Sequence, residues 1–159
     1  MFRKILFISC LLLIVNCGFT PIHNIQNINN ITIRNLVFSD GDRDLNLFIK
    51  RNLNKYKNIN SSNIFVINSN TKYEKNVVSK DAKGNSTKYQ LKAVANFTIK
   101  HENSVINISV KEVFTMSNIG DDFENKKYEK TIKENFANSI SQKLILKLSQ
   151  IKWFLSFLK

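Results

Sequence analysis

The chain has 159 residues and a formal net charge of +12, and it contains two histidines and two cysteines. This length suits a single domain with a substantial hydrophobic core. The sequence has no Cys-x-x-Cys or His-x-x-x-His pair, which argues against a zinc site. A Cys–His nucleophile would need a free thiol, and neither cysteine is expected to supply one in the mature chain. No cofactor and no enzymatic activity are expected.

The basic charge balance narrows the classes of partner. An excess of lysine favours anionic partners, either phosphorylated lipid or nucleic acid. Asn and Ile are abundant as well. A second interpretation is therefore that many lysines reflect an AT-rich coding composition and are simply solvated.

The first residues have the composition of a bacterial export signal. Arg3 and Lys4 precede an apolar run at residues 5–15, which is shorter than the roughly 20 residues that a membrane-spanning helix needs. Cys17 follows shortly after, and its surroundings resemble the lipobox of bacterial lipoproteins, in which the residue after cleavage is a lipid-bearing cysteine. We expect residues 1–16 to be removed and Cys17 to carry the lipid. An uncleaved interfacial anchor, or an ordinary secretory signal that happens to contain Cys17, is the alternative.

The two cysteines then have no structural role. Cys10 lies in the removed segment and Cys17 is consumed by the lipid, so no disulfide bond is expected in the mature chain. Residues 17–30 are polar and rich in Asn, which is typical of a tether. Residues 31–159 are expected to form one domain.

This domain begins with a predicted strand and an amphipathic helix. Residues 31–38 are rich in β-branched and aromatic side chains and end at a polar turn, which favours a strand. Ser39, Asp40 or Asp42 is expected to cap the helix that follows. Apolar residues at spacings of three and four predict its buried stripe: Leu45, Phe48, Ile49, Leu53 and Tyr56.

Two central strands follow. The first of them opens at Ile64 and is expected to extend toward Tyr73. The other, at residues 88–99, has the clearest alternation in the chain. Its odd-numbered apolar residues are expected to face the core: Tyr89, Leu91, Ala93, Ala95, Phe97 and Ile99.

A hairpin leads to the fourth predicted strand. Residues 101–104 form a short polar connection, and residues 105–115 resume the alternation. The alternation slips near Glu112 and Val113. Such a slip indicates a β-bulge or the exit of the strand from the core.

The last third of the chain predicts a long helix on the sheet, capped by Asn118 or Asp121. Its apolar stripe is Tyr128, Ile132, Phe136, Ile140, Leu144, Leu148 and Ile151. An apolar tail at residues 153–158 either completes the core or meets a partner. The order β-α-β-β-β-α indicates an α+β fold, a two-layer sandwich with two helices packed on one face of a four-stranded mixed sheet.

Few residues are candidates for chemistry. His23 falls in the predicted tether and His101 in a predicted turn, and neither has an evident partner. The acidic residues near helix starts are expected to cap helices and not to act as catalytic pairs: Asp40, Asp42, Asp44, Asp121, Asp122 and Glu124.

The connection at residues 79–88 is the leading candidate for ligand contact. It contains three lysines, Lys80, Lys83 and Lys88, and a single acid. A basic loop at the end of a sheet can meet phosphate groups. A solvated turn is the default interpretation of the same residues.

Several short sequence motifs together resemble those of the LPS-assembly lipoprotein LptE family. They are CGFTPI at residues 17–22, DLNL at 44–47 with RNL at 51–53, NSTKYQL at 85–91, and ANFT at 95–98, followed by the long final helix. The resemblance covers nearly the whole mature chain, and the order and spacing of the motifs carry it.

This resemblance implies a lipid-anchored protein on the periplasmic side of the outer membrane. Members of that family plug the LptD β-barrel, aid its assembly and bind lipopolysaccharide during export. In that case Lys80, Lys83 and Lys88 are the expected contacts for lipopolysaccharide.

Two other functions remain open. An outer-membrane lipoprotein adaptor of unrelated function would keep every export feature and lose only the LptD partner. A module similar to double-stranded-RNA-binding domains would share the α-β-β-β-α order and place Lys126, Lys127 and Lys130 near phosphates. An export signal would separate the protein from cytoplasmic RNA, so no nucleic-acid partner is expected.

Overall fold

The computed structural model describes residues 31–57 and 64–156. The predicted export signal at residues 1–16, the tether and the lipidation site Cys17 lie outside the described residues. His23 and the side chains of the apolar C-terminal tail also lie outside them.

The described elements follow the predicted order. The four strands are β1 (Thr32–Asp40), β2 (Ile64–Lys80), β3 (Ser86–His101) and β4 (Ser104–Ser117). The two helices are α1 (Arg43–Leu53), which continues into a 3₁₀ turn at Asn54–Tyr56, and α2 (Asp122–Ser156).

The strands form one mixed sheet in the order β1-β2-β3-β4. β1 and β2 are parallel, so α1 is the crossover between them, whereas β2, β3 and β4 are successive antiparallel neighbours. One core contains the buried stripes of both helices and the odd-numbered residues of β3, so both helices cover the same face. The predicted α+β two-layer sandwich is confirmed.

The core stripes agree with the predicted ones. In β3, Leu91, Ala93, Ala95, Phe97 and Ile99 are fully buried, and Tyr89 is half-buried. The whole predicted stripe of α1 is buried. In α2 the stripe is buried from Ile132 to Leu148, while Tyr128 near its start is 38% exposed.

Aspartates cap both helices. Asp42 accepts a hydrogen bond from the Leu45 backbone N–H at 2.9 Å, and Asp121 accepts one from the Glu124 backbone N–H at 2.9 Å. Each bond satisfies one of the free donors in a first helical turn.

The hairpin between β2 and β3 is longer than predicted. β2 continues beyond Tyr73 to Lys80, and β3 starts at Ser86, so both ends of the predicted loop at residues 79–88 are strand and only residues 81–85 form the turn. Thr87 Oγ1 donates to Ser79 Oγ at 2.9 Å across this extension. The side chains here are largely exposed on both faces, so the alternation that marks a half-buried strand is missing.

The predicted bulge in β4 is wrong. The pairing of β3 with β4 is unbroken from Lys88 opposite Ser117 to His101 opposite Ser104. The slip arises because an acid, Glu112, occupies an inward position, where it accepts hydrogen bonds from Ser139 at 2.8 Å and Lys143 at 2.6 Å. The strand does not leave the core either, since Met116 is fully buried.

His101 is also placed differently from the prediction. It ends β3 and is 5% exposed, stacked on the Phe65 ring with centroids 4.5 Å apart. Its Nδ1 lies 3.0 Å from the Ile64 carbonyl oxygen. The turn itself is made by the next two residues, and Glu102 adopts a positive φ of 49°. His101 therefore has buried partners and a packing role.

Candidate functional site at the basic end of the sheet

The turn between β2 and β3 is ordered around one carboxylate. Asp81 accepts hydrogen bonds from the Lys83 backbone N–H at 2.9 Å, and from the Asn85 backbone N–H at 2.8 Å and side chain at 3.0 Å. The hydrogen bonds from Asn85 lower the pKa of the Asp81 carboxyl, and the bond from the Asn85 side chain has the largest effect. The one acid of this turn is therefore engaged with its own backbone.

All three predicted lysines lie at this end of the sheet. Lys80 ends β2, Lys83 lies in the turn and Lys88 lies in β3, and all three are exposed. Across the two strands, Lys80 is paired with Ser86 and Lys88 is paired with Ser79. No described carboxylate lies within ion-pair distance of these ammonium groups. We call this region, residues 80–88, the basic tip.

The connection between β4 and α2 is fastened to the basic tip. Asn118 donates its backbone N–H to the Thr87 carbonyl at 2.8 Å and its side-chain amide to the Ser86 carbonyl at 2.7 Å. Its Oδ1 accepts from the side chain of Asn125, which is 7% exposed, at 2.6 Å. Asn125 in turn accepts from the Ile119 backbone N–H at 3.1 Å. Asn118 was a predicted helix cap, and it instead joins the connection to the hairpin.

Two exposed apolar side chains lie close together in sequence here, one in this connection and one in the first turn of α2. Ile119 is 58% exposed and Phe123 is 73% exposed. Sequence reasoning missed both residues. The available signal was that Phe123 is out of phase with the α2 stripe, which on a helix places it away from the core. We call these two residues the apolar pair.

A polar network joins α2 to strand β2 at Tyr73 and Lys75. Tyr73 Oη donates to Glu129 at 2.8 Å, and Lys75 Nζ donates to the other Glu129 oxygen at 2.7 Å. Lys133 Nζ donates to Asp42 at 2.8 Å and lies 4.2 Å from the centroid of the Tyr73 ring.

The network also sets the ionisation of two of its members. Burial, together with the hydrogen bond to Glu129, raises the pKa of Tyr73 far above its ordinary range. Burial opposes ionisation of Glu129, but the bonds from Lys75 and Tyr73 outweigh it and lower the pKa of that carboxyl. Each of these polar groups has a partner within the network, which is the arrangement of a structural contact between helix and sheet.

The sheet face opposite the helices is mostly polar, with Val66, Val94 and Val113 among its polar side chains. Its central side chains are mostly amides, hydroxyls and ammonium groups: Asn68, Asn70, Lys72, Lys92, Asn96, Thr98, Asn107 and Lys111. Thr98 donates to Asn107 at 3.0 Å, and Glu74 pairs with Lys72 at 2.6 Å and Lys92 at 3.2 Å. We call this surface the open face.

In the part of the chain that the structure describes, no three side chains of His, Cys, Asp or Glu are grouped so that they could hold a metal ion. None of the described helices combines the length and apolarity needed to cross a membrane.

Comparisons with known proteins show similarity at the level of the fold. No protein-family model matches the sequence, and no curated protein has significant sequence similarity to it. The crystal structure of rare lipoprotein B from Shewanella oneidensis superimposes with a TM-score of 0.60 at 13% identity, covering 77% of this chain and 98% of that one. The solution structure of an uncharacterized lipoprotein B from Nitrosomonas europaea gives a TM-score of 0.50 at 12% identity, covering 81% of this chain and 88% of that one. The chain therefore has the fold of these lipoproteins.

Proposed function

We propose that this protein is a non-catalytic outer-membrane lipoprotein of the LptE type, anchored through Cys17 on the periplasmic side. In this proposal it plugs an LptD-type β-barrel, assists the assembly of that barrel and binds lipopolysaccharide in transit. The observation that carries the proposal is the combination of a lipobox-like Cys17 with a β-α-β-β-β-α fold similar to rare lipoprotein B.

The open face supports the role of a plug. A barrel wide enough to pass a glycolipid has a polar, water-filled interior. A folded domain that fills such an interior needs a hydrophilic outer surface, and the Asn, Thr and Lys side chains of the open face supply one.

The basic tip supports binding of a phosphorylated ligand. Lys80, Lys83 and Lys88 have no described acidic partner, and Asp81 is occupied by the backbone of the turn. Their ammonium groups are therefore available for charge-assisted hydrogen bonds to phosphate.

The nucleic-acid alternative has less support from the surface of α2. Lys127 lies 3.7 Å from Glu124, and Lys126 and Lys130 share a groove with Asp44 and Glu129. Acids placed among these lysines reduce the positive potential that a phosphate backbone requires.

The ligand half of the proposal predicts a specific effect of the tip lysines. The triple variant K80S/K83S/K88S should bind lipopolysaccharide about tenfold more weakly at low salt, since three exposed contacts of about 0.5 kcal/mol each are lost. Raising the salt concentration should weaken wild-type binding more than variant binding, because the variant has fewer charged contacts that salt can screen.

A matched control removes the same charge elsewhere. K100S/K111S/K147S replaces three exposed lysines outside the tip, and none of the three has a described ion pair. Equal affinity of the tip variant and this control would exclude the tip lysines from the site. Absence of binding by the wild type would contradict the ligand half of the proposal.

A further inference from the structure

We infer that the apolar pair, Ile119 and Phe123, forms part of the same ligand site as the basic tip and contacts the acyl chains of a phosphorylated lipid. The inference rests on the proposed function, because it takes lipopolysaccharide as the phosphorylated lipid. It adds one residue of the β4–α2 connection, one residue of the first turn of α2, and a second kind of contact.

Exposure of the pair is the first observation. Phe123, at 73%, is more exposed than any other large apolar side chain in the described part of the chain, and Ile119 is 58% exposed. Exposed apolar side chains are unfavourably hydrated, and covering them with an apolar ligand is favourable.

The pair stands on a fixed support. Asn118 is bonded to both Ser86 and Thr87, and Asn125 holds both Asn118 and the Ile119 backbone. Phe123 lies in the first turn of α2, which Asp121 caps. Side chains presented from an ordered backbone lose less conformational entropy when they bind.

Charge around the pair selects the class of ligand. The hydrogen bonds of Asn118 join the pair to the hairpin that carries Lys80, Lys83 and Lys88. Four acids lie near the pair or the tip. Asp81 and Asp121 accept hydrogen bonds from backbone N–H groups, and Asp122 and Glu124 flank Phe123 in the first turn of α2, where Glu124 lies 3.7 Å from Lys127. An exposed apolar pair at the same end of the fold as three lysines without an ion pair matches an amphiphile whose phosphates adjoin its acyl chains, and it matches a neutral lipid less well.

Position in the fold favours a single lipid molecule over the anchoring bilayer. The described chain starts at Ile31, beside the first residues of β2, whereas the tip lies at the far end of that 17-residue strand, about 50 Å away. Residues 17–30 span at most about 50 Å when fully extended. The tip therefore lies away from the leaflet that would hold Cys17 unless the tether is almost fully stretched along the sheet.

The test compares three probes on the full-length protein purified in detergent. The probes are lipid A, lipid A stripped of its acyl chains, and lipid A stripped of its phosphates. I119S/F123S should lower affinity for intact lipid A by about tenfold, since two apolar contacts are lost. The same variant should change affinity for the deacylated probe by less than about twofold. K80S/K83S/K88S should show the complementary pattern, with its main loss on probes that keep their phosphates.

The control variant is L47S/V105S, which alters two other apolar residues with similar exposure, 59% and 61%. It should bind all three probes like the wild type. Wild-type affinity of I119S/F123S for intact lipid A, or an equal loss on the deacylated probe, would overturn the inference while leaving the proposed function in place. Absence of lipid A binding by the wild type would overturn both. Circular dichroism checks the fold, and the single variants I119S and F123S give the same comparison if the double variant misfolds.

Discussion

Phe97 lies at the centre of the core. It is 1% exposed, and its neighbours across the sheet are Ser69 on β2 and Ile108 on β4. Phe97→Ala should lower the free energy of unfolding by about 3–5 kcal/mol, because the substitution removes a buried ring and leaves a cavity. Denaturant unfolding measures the loss. Val105→Ala, at a position that is 61% exposed, should cost less than about 0.5 kcal/mol. A loss below about 1 kcal/mol for Phe97→Ala would mean that the inward face of β3 is misassigned.

Glu129 makes the stability of the protein depend on pH. The bonds that lower the pKa of its carboxyl below the ordinary value of 4.5 exist only in the folded protein. A carboxyl of this kind stabilises the fold above its ordinary pKa, and that stabilisation is lost as the pH falls through the lower, folded-state pKa. Glu129→Gln should therefore flatten the decrease in unfolding free energy between about pH 5 and pH 3.

The control for this titration is Gln142→Ala, which changes an exposed, uncharged side chain on α2. Urea unfolding at several pH values gives the two profiles. The profile of Gln142→Ala should run parallel to that of the wild type. A Glu129→Gln profile parallel to the wild type would show that the network contributes no acid sensitivity.

At the scale of elements, the end of the β2–β3 hairpin depends on local hydrogen bonds. Asp81 receives three of them, and the side chains around the turn are exposed. Asp81→Ala should accelerate amide hydrogen exchange at Lys83 and Asn85 by about tenfold, since their acceptor is lost. The free energy of global unfolding should change by less than about 1 kcal/mol.

Asp122→Ala, at an exposed position in the first turn of α2, is the matched control and should leave exchange in the turn unchanged. Unaltered exchange at Lys83 and Asn85 in Asp81→Ala would mean that the carboxylate does not order the turn. The lysines would then be presented by the strand pairing alone.

The elements that could be predicted from sequence are those with one buried face and one exposed face. β3 alternates because its odd residues meet the helices and its even residues meet water, and the α1 stripe repeats for the same reason. The extension of β2 beyond Tyr73 could not be predicted in this way, because both of its faces are largely wet and its polar residues give no period. Glu112 misled the prediction in β4 because its partners, Ser139 and Lys143, are distant in sequence.

The residues of the candidate site also differ in whether the sequence could predict them. The lysines of the tip could be predicted because a cluster of charge is visible in the sequence itself. The apolar pair could not, because its place beside the tip depends on Asn118 and Asn125, whose hydrogen bonds form only when β4 and α2 are assembled on β3. Asparagine amides have many alternative partners, so sequence alone did not reveal which bonds they form.

For the molecule as a whole, the two ends of the sheet have different roles in the proposed function. The end where β1 and β2 begin receives the chain from the predicted lipid anchor, and the opposite end presents the basic tip and the apolar pair. Between them, the open face supplies the hydrophilic surface that a barrel interior requires. A plug of this shape would be held at the membrane by one end and would meet its ligand at the other.

Recovery of membrane complexes through a tagged copy of this protein, in its native envelope and a mild detergent, tests the central claim most directly. Mass spectrometry of the purified complex should identify one large outer-membrane β-barrel of the LptD type. Recovery of a different outer-membrane assembly, of nucleic acid, or of the lipoprotein without any large barrel would contradict the account.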